Sequence, residues 1–411
     1  MDHIRKRWIL PRLRSALRVM PVVVLTGARQ TGKSTLAGQC GAGRHAYTFD
    51  DLGVLDTARR HPGELLSGLP VTLDEIQRAP EMLLAVKRAV DARRRAGDYL
   101  LTGSANLLLM DKVADTLAGR ALYLELPPFC PCEWLGRAGG LEPLDRLFAA
   151  DFDLREWPVV RGDWTTWLLR GGYPSALGIA DHADRTLWHS AYVQTYLERD
   201  LRQLSAISNL PDFQRVMALA AHRTGRLLNQ AELARDAGLS HPTTHRHLNL
   251  LETGCLLHRI RPYATNPSVA LVKSPKLLWA DSGLAAVLAG LRDPKDLAGR
   301  PDAGFWLEQT IYQTLRVWVS LDPLHRRIHY WRDRSGREVD FILEQDGRCV
   351  ALEIKLASRV TAGDTTGLRA FREAAGKKSG LVRSLVLHAG DACPLDRDTA
   401  ALPWGWMVPA D

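Results

Sequence analysis

The chain has 411 residues, enough for two to four domains that each bury a hydrophobic core. With 46% hydrophobic and 24% charged residues, its composition excludes a disordered tail or a fibre. No apolar stretch approaches the ~18 residues needed to cross a bilayer, and the basic start lacks a signal-peptide core, so we expect a cytoplasmic protein that acts without a membrane. Six cysteines without a CxxC pair exclude a disulfide scaffold, and the net charge of +8 permits an anionic partner.

The first predicted strand leads into a glycine-rich loop. After the apolar run 20–26, the chain matches the phosphate-binding pattern G-x-x-x-x-G-K-[ST] and its following residue with Gly27, Ala28, Arg29, Gln30, Thr31, Gly32, Lys33, Ser34 and Thr35. In this pattern backbone N–H groups turn towards the phosphates, Lys33 reaches the β- and γ-phosphates, and the Ser34 hydroxyl ligates Mg²⁺. The loop predicts binding of ATP or ADP with Mg²⁺; a glycine turn that binds nothing is the alternative.

A second apolar run, 69–73, ends in two carboxylates. At this distance after a phosphate-binding loop, we expect Asp74 to hold Mg²⁺ through water. Glu75 is expected to polarise the attacking water as a general base. The alternative is a strand followed by solvated turn acids. The pair predicts hydrolysis of the nucleotide as well as binding.

A third short strand, 99–102, precedes small polar residues. Ser104 is the first candidate for a group that senses the γ-phosphate and Asn106 the second, with a plain turn as the alternative. Strands alternating with helices predict an α/β fold, a parallel sheet covered by helices, with the site at the carboxyl ends of its strands. Arg120 is interpreted as an arginine finger for its own or a neighbouring site, which leaves a homo-oligomer open, or as a surface arginine.

The middle of the chain is its most basic part. Residues 206–295 carry a net charge of +5, against +3 for 1–205 and 0 for 296–411. A helix capped by Asn229, a turn at 238–240, a second helix from Pro242 to Gly254 and two strands, 255–261 and 276–280, predict a winged helix. We expect DNA contacts on the outer side of the second helix, at His241, Thr243, Arg246 and His247. A module that only packs against protein is the alternative.

The last part predicts a helix, 305–319, and a strand hairpin that turns at Asp346 and Gly347. Strand alternation places Glu353 and Lys355 on one face, where Asp340 of the paired strand joins them. We expect Glu308, Asp340 and Glu353 to bind Mg²⁺ and Lys355 to orient or deprotonate water for attack on a phosphodiester. A surface hairpin that carries acids is the alternative. Of 54 basic residues only ten are Lys, and Lys33 and Lys355 fall in the two catalytic-looking motifs.

Together these motifs resemble a prokaryotic family of AAA-like P-loop ATPases with a C-terminal region of uncharacterised function. The segments that carry the resemblance are 27–35, 73–77, 101–104, 117–120, 171–174, 275–277, 281–283, 330–332, 338–340 and 353–355. The resemblance implies ATP binding at Gly32, Lys33 and Ser34, a winged helix and an endonuclease-like terminal domain. The motifs divide the chain into an AAA-like P-loop domain with a helical extension over 1–205, a winged-helix module over 206–295 and an α/β restriction-endonuclease-like domain over 296–411. Val339 departs from the Pro that often precedes the first Asp in such nucleases.

Three functions are compatible with these observations. The first is a Mg²⁺-dependent ATPase that acts as a nucleotide-driven switch on DNA or a protein partner. The second is an ATP-gated, metal-dependent DNA nuclease. The third is a catalytically silent regulator whose winged helix and nuclease-like fold hold DNA or a protein.

Overall fold

The computed structural model describes residues 5–41, 43–104, 117–136, 142–157, 162–196, 209–264, 273–297, 299–376 and 380–410. The chain divides into two compact units, Met1–Pro128 with Leu250–Leu256 and Phe129–Asn249 with Leu257–Asp411. The chain enters the second unit at Phe129, and the expected domain boundaries after residues 205 and 295 stay predictions. Within the ranges above, no helix is long and apolar enough to cross a membrane.

The first unit is built on a parallel sheet. Its five strands are β1 (Val22–Thr26), β2 (His45–Thr48), β3 (Val71–Asp74), β4 (Tyr99–Thr102) and β5 (Ala121–Glu125). They lie in the order β2-β3-β4-β1-β5, and every pair is parallel. The residues of β1 and β4 are all buried, as expected for strands covered by helices on both faces. The prediction of a parallel α/β sheet is confirmed.

The helices of this unit cover the sheet. They are α1 (Leu10–Val19), α2 (Lys33–Gly38), α3 (Leu52–Arg60), α4 (Pro62–Leu65) and α5 (Met82–Ala92). Helix α5 shows how the packing arises, because its buried residues Met82, Val86 and Val90 recur at a spacing of four and so share one helix face. These side chains pack in one core cluster with Leu73 and Leu101 of the central strands.

From Phe129 onward the chain is rich in helices. They are α6 (Pro131–Trp134), α7 (Glu142–Arg146), α8 (Trp164–Arg170), α9 (Pro174–Leu177), α10 (His182–Tyr196), α11 (Leu210–Ala221), α12 (Gln230–Ala237), α13 (His241–Thr253), α14 (Ser282–Leu288), α15 (Ala303–Leu321) and α16 (Thr366–Ala375). The predicted helix over 305–319 corresponds to α15. Its nineteen residues are mostly buried, which makes it a central helix of the second unit.

The predicted helix–turn–helix and strand pair are present. Asn229 caps α12 by accepting a hydrogen bond from the Glu232 N–H at 3.2 Å, and Gly238 ends the helix with a φ of 67°. Helix α13 follows after the turn. Strands β6 (Leu257–Ile260) and β7 (Lys276–Trp279) then pair in antiparallel fashion.

The end of the chain forms a six-stranded mixed sheet. Its strands are β8 (Arg326–Arg332), β9 (Glu338–Gln345), β10 (Arg348–Ile354), β11 (Leu381–His388), β12 (Cys393–Pro394) and β13 (Thr399–Pro403), in the order β12-β13-β11-β10-β9-β8. Strands β9 and β10 form the predicted hairpin, with φ values of 51° at Asp346 and 75° at Gly347. Two positive φ angles are typical of a type I′ turn, which fixes the register of the hairpin.

A buried carboxylate joins two distant segments of the second unit. Asp281 caps α14 by accepting from the Leu284 N–H at 2.7 Å, and its other oxygen accepts from the Gly172 N–H at 2.5 Å. A Cβ on Gly172 would lie 2.1 Å from the Phe129 carbonyl oxygen. The segments 171–174 and 281–283 are therefore held together by a close backbone approach that requires glycine.

Replacing Asp281 with Ala is expected to lower the free energy of unfolding of the second unit by about 2 to 4 kcal/mol. The substitution leaves two buried N–H donors unsatisfied, each at a cost of about 1–3 kcal/mol, while relief of carboxylate burial offsets part of that cost. Urea unfolding followed by tryptophan fluorescence measures this free energy. Trp8 is the one tryptophan before residue 129, so the fluorescence change reports mainly on the second unit. The control is Glu373→Ala on the exposed face of α16, which is expected to change stability by less than about 0.5 kcal/mol. Equal effects of the two substitutions would contradict this role.

Candidate nucleotide site and a buried acidic cluster

The glycine-rich loop connects β1 to α2 at the carboxyl edge of the parallel sheet. Gly27 has a φ of 141°, and a Cβ there would lie 2.5 Å from the Leu126 carbonyl oxygen. Gly32 precedes α2 with a φ of 92°. Both positions require glycine, one for close packing and one for a left-handed backbone. Gln30 also has a positive φ, 59°, which is uncommon for a residue with a side chain and typical of functional loops.

Lys33 lies inside this loop. Its side chain is buried, and its ammonium donates to the carbonyl oxygens of Ala28 at 2.7 Å and Gly27 at 3.2 Å. Burial lowers the pKa of Lys33, although the nearby carboxylates of Glu75 and Asp74 act in the opposite direction. The Lys33 side chain therefore lies at the centre of the loop, the position at which a phosphate-binding loop needs a cation.

The Asp74 carboxylate contacts polar side chains from α2 and β4. The Ser34 hydroxyl donates to its two carboxylate oxygens at 2.9 and 3.0 Å, and the Thr102 hydroxyl also donates to it. These groups meet because β4 lies between β3 and β1 in the sheet. Hydroxyl and carboxylate oxygens are the ligands that Mg²⁺ prefers, so Ser34 and Asp74 fit the predicted metal. Thr102 was not among the predicted site residues; its signal was a polar residue that ends an otherwise apolar strand.

Glu75 follows Asp74 in a left-handed conformation, with a φ of 58°. Its side chain accepts a hydrogen bond from the Gln77 amide, and its backbone N–H donates to the Thr102 hydroxyl at 3.4 Å. The Ser104 side chain is 3% exposed, and its hydroxyl has no hydrogen-bond partner among the described residues. A buried, unsatisfied hydroxyl at this edge fits a sensor for a bound group. Asn106 lies outside the described residues.

Arg120 lies at the opposite edge of the sheet. It precedes β5, whose first residue, Ala121, pairs with Val22 at the start of β1. Its guanidinium contacts Asp91 at 2.6 Å, and this hydrogen bond raises the pKa of Arg120. The phosphate-binding loop follows the other end of β1, about 16 Å away at ~3.3 Å per residue. The interpretation of Arg120 as a finger for its own site is therefore wrong, and a role at a neighbouring copy stays a prediction.

The second unit brings the other predicted catalytic residues together. Lys355 contacts Glu353 at 2.7 Å, and Asp340 accepts from the Ile354 N–H at 2.8 Å. The register of β9 and β10, with Leu352 opposite Phe341, places Glu353 and Asp340 at facing positions. We call Glu308, Glu338, Asp340 and Glu353 the acidic cluster.

A lysine that was not predicted as a site residue occupies this cluster. Lys276, the first residue of β7, is 0% exposed, and its Nζ lies 2.5 Å from Glu308 Oε2. The same atom lies 3.4 Å from Asp340 Oδ1 and 3.4 Å from Glu338 Oε1. Its signal in the sequence was its place among ten lysines in an arginine-rich chain.

The expected metal site at Glu308, Asp340 and Glu353 is not formed. Across the described residues, no three His, Cys, Asp or Glu side chains are arranged to hold a metal ion. The physical reason is the Lys276 ammonium, which lies among the carboxylates that the metal was expected to use. These carboxylates do not fit a divalent cation while that ammonium is in place.

The charges of the cluster are strongly coupled. Burial and the neighbouring Asp340 raise the pKa of Glu353 to about 8 and that of Glu308 well above its usual range. Burial alone would lower the pKa of Lys276, but Glu308, Asp340 and Glu338 together raise it. The ammonium is therefore charged at neutral pH and stabilises the carboxylates around it.

The predicted DNA contacts on α13 lie on two different faces. His241 and Arg246 are exposed, and Thr243 is half-buried with its hydroxyl 2.9 Å from that of Ser240. His247 is 2% exposed and its ring packs edge-on against Phe213 at 5.0 Å, which makes the prediction for this residue wrong. The reason is helical phase, since residue 247 shares the buried face with residues 244, 248 and 251. The exposed face instead includes His245.

Three family models match this chain. An AAA domain matches residues 20–135, which include the strands and loops of the nucleotide site. A domain of unknown function, DUF8612, matches residues 161–295, and a second, DUF4143, matches residues 303–407.

Among solved structures, the chain is similar to the walker-type ATPase PABY2304 of Pyrococcus abyssi, with 17% identity, 70% of this chain and 96% of that chain covered, and a TM-score of 0.44. It is also similar to the RuvB Holliday junction branch migration motor of Thermotoga maritima, with 16% identity, 63% and 91% covered, and a TM-score of 0.27. AMPPCP-bound DnaA from Aquifex aeolicus is 14% identical over 59% of this chain and 86% of that chain, with a TM-score of 0.28.

Two curated relatives match nearly the whole chain. They are the uncharacterized proteins Rv2008c of Mycobacterium tuberculosis and Mb2031c of Mycobacterium bovis. Each is 31% identical over 404 residues, which cover 97% of this chain and 84% of the relative. The chain therefore belongs to the family of these two mycobacterial proteins, and it carries an AAA-type P-loop ATPase domain.

Proposed function

We propose that this protein is a Mg²⁺-dependent ATPase that works as a nucleotide-driven switch on a bound partner. The observation that carries the proposal is the contact of Ser34 and Thr102 with Asp74, directly before Glu75. A loop that binds phosphate needs only its glycines and lysine. Ser34 and Asp74 would hold Mg²⁺ in binding and hydrolysis alike, whereas Glu75, directly after Asp74, has a use as a general base only if the nucleotide is also hydrolysed.

Each residue then has a defined part in the reaction. Lys33 and the loop N–H groups bind the phosphates, and Ser104 donates its otherwise unsatisfied hydroxyl to the γ-phosphate. Glu75, oriented by the Gln77 amide, accepts a proton from the attacking water. Ser34 and Asp74 would hold Mg²⁺, which neutralises charge on the phosphates when it is bound.

Replacing Glu75 with Gln is expected to slow ATP hydrolysis by about 10²- to 10⁴-fold and to leave ATP binding in place. The amide keeps the shape of the side chain but cannot accept the proton from water. Phosphate release measures the first effect, and binding of a fluorescent ATP analogue measures the second.

Two further variants serve as controls for the effect of Glu75→Gln. Glu81→Gln, at an exposed position before α5, is expected to hydrolyse ATP like the wild type. Lys33→Ala is expected to weaken ATP binding by about 10- to 150-fold, because a charged hydrogen bond contributes about 1.5–3 kcal/mol. Hydrolysis at the wild-type rate in Glu75→Gln would contradict the role of Glu75.

A second candidate function is DNA binding by a winged helix formed by α12, α13, β6 and β7. It is favoured by the exposed side chains of His241, His245 and Arg246 and by the net charge of +5 over residues 206–295. For the C-terminal sheet, we infer a restriction-endonuclease-like fold that binds a partner without cleaving it. The Lys276 ammonium among the expected metal ligands favours this silent alternative over the nuclease.

Replacing both His241 and Arg246 with Ala is expected to weaken duplex DNA binding by about 3- to 30-fold and to make the salt dependence shallower. Each lost phosphate contact reduces the slope of log affinity against log salt by about 1. Fluorescence anisotropy at several salt concentrations measures both quantities. The control is Arg292→Ala, which removes one exposed positive charge outside the helix pair. An unchanged slope in the double variant would exclude α13 as the DNA-binding face.

A further inference from the structure

Lys276 makes contacts of the kind a bound cation makes. Three carboxylates from two elements, α15 and β9, surround one ammonium at distances between 2.5 and 3.4 Å. The ammonium donates a hydrogen bond to Asp340 Oδ1, and its contacts with Glu308 and Glu338 are ion pairs. It also lies 5.5 Å from the centre of the Phe341 ring, within the range of a cation–π contact.

The surroundings leave little room for a hydrated metal ion. The exposed fractions of the side chains are 0% for Lys276, 7% for Glu308 and 12% for Asp340. Mg²⁺ needs near-octahedral coordination at about 2.0–2.1 Å and usually keeps several waters. A buried ammonium needs no waters and supplies its positive charge permanently.

The chemistry of lysine also favours an ammonium as the cation at position 276. An arginine at this position would bring a planar guanidinium with five donors, whereas three converging carboxylates suit a compact ammonium. The other ammonium in the region, Lys355, is already engaged by Glu353 at 2.7 Å, so each lysine has its own carboxylate partners. Without Lys276, the oxygens of Glu308, Glu338 and Asp340 would lose the cation that they contact, and another cation could take its place.

We propose that the ammonium of Lys276 is a built-in substitute for a divalent cation in the acidic cluster. The wild-type chain therefore keeps this cluster free of metal. Loss of the lysine charge opens a site for one divalent cation at Glu308, Glu338 and Asp340. The proposal does not depend on nucleotide hydrolysis, because all of these residues lie in the second unit.

Mn²⁺ binding to the nucleotide-free, full-length protein tests this proposal, with the free Mn²⁺ signal in electron paramagnetic resonance as the readout. Lys276→Ala removes both the charge and the side-chain volume, which leaves space for a cation, and Lys276→Gln keeps a polar end. Each is expected to bind one Mn²⁺ at least about 100-fold more tightly than the wild type does at this cluster. Adding Asp340→Asn to either variant is expected to abolish that binding.

The wild type and its own Asp340→Asn variant form the matched control pair. They are expected to bind Mn²⁺ equally, because any binding at Ser34 and Asp74 is common to both. The proposal is overturned if the wild type loses a bound Mn²⁺ on Asp340→Asn, or if a folded Lys276 variant gains none. Circular dichroism establishes folding, and if neither Lys276 variant folds, the comparison of the wild type with Asp340→Asn still decides whether the native cluster excludes the metal.

Discussion

Parallel pairing of β1 with β4 and β5 is the constraint on which the nucleotide site depends. Because all five strands run in one direction, the residues that follow them meet at a single edge of the sheet. The phosphate-binding loop, Asp74 and Thr102 reach this edge from β1, β3 and β4. The same constraint places Arg120 at the far edge, since it precedes its strand instead of following it.

In the second unit, the corresponding constraint is the burial of charged side chains in the acidic cluster. A buried carboxylate is costly, so the buried Glu308 and Asp340, with the partly buried Glu338 and Glu353 beside them, require compensation. Lys276 and Lys355 supply positive charge, while burial and the neighbouring Asp340 still raise the pKa values of Glu308 and Glu353. A nuclease would balance this negative charge with metal ions. Here the ammonium of Lys276, which lies on β7 and earlier in the sequence, compensates part of this negative charge.

Sequence-based prediction succeeded for features that depend on residues close together in the sequence, and it missed contacts between distant residues. The phosphate-binding loop, the hairpin at Asp346 and Gly347 and the helix–turn–helix are local patterns, and each was predicted correctly. The contact of Lys276 with Glu308 joins residues 32 positions apart through a sheet and a helix, and no local pattern indicates it. His247 was assigned to the wrong face because an error of one residue in helical phase exchanges a buried side chain for an exposed one.

The central claim is that this chain binds and hydrolyses ATP at the carboxyl edge of its parallel sheet. Equilibrium binding of radiolabelled ATP to the full-length protein with Mg²⁺, followed by analysis of the bound nucleotide, tests it most directly. The account predicts one nucleotide per chain, displaced by unlabelled ADP and converted to ADP over time. Absence of bound nucleotide, or ATP that stays intact on the wild-type protein, would contradict it.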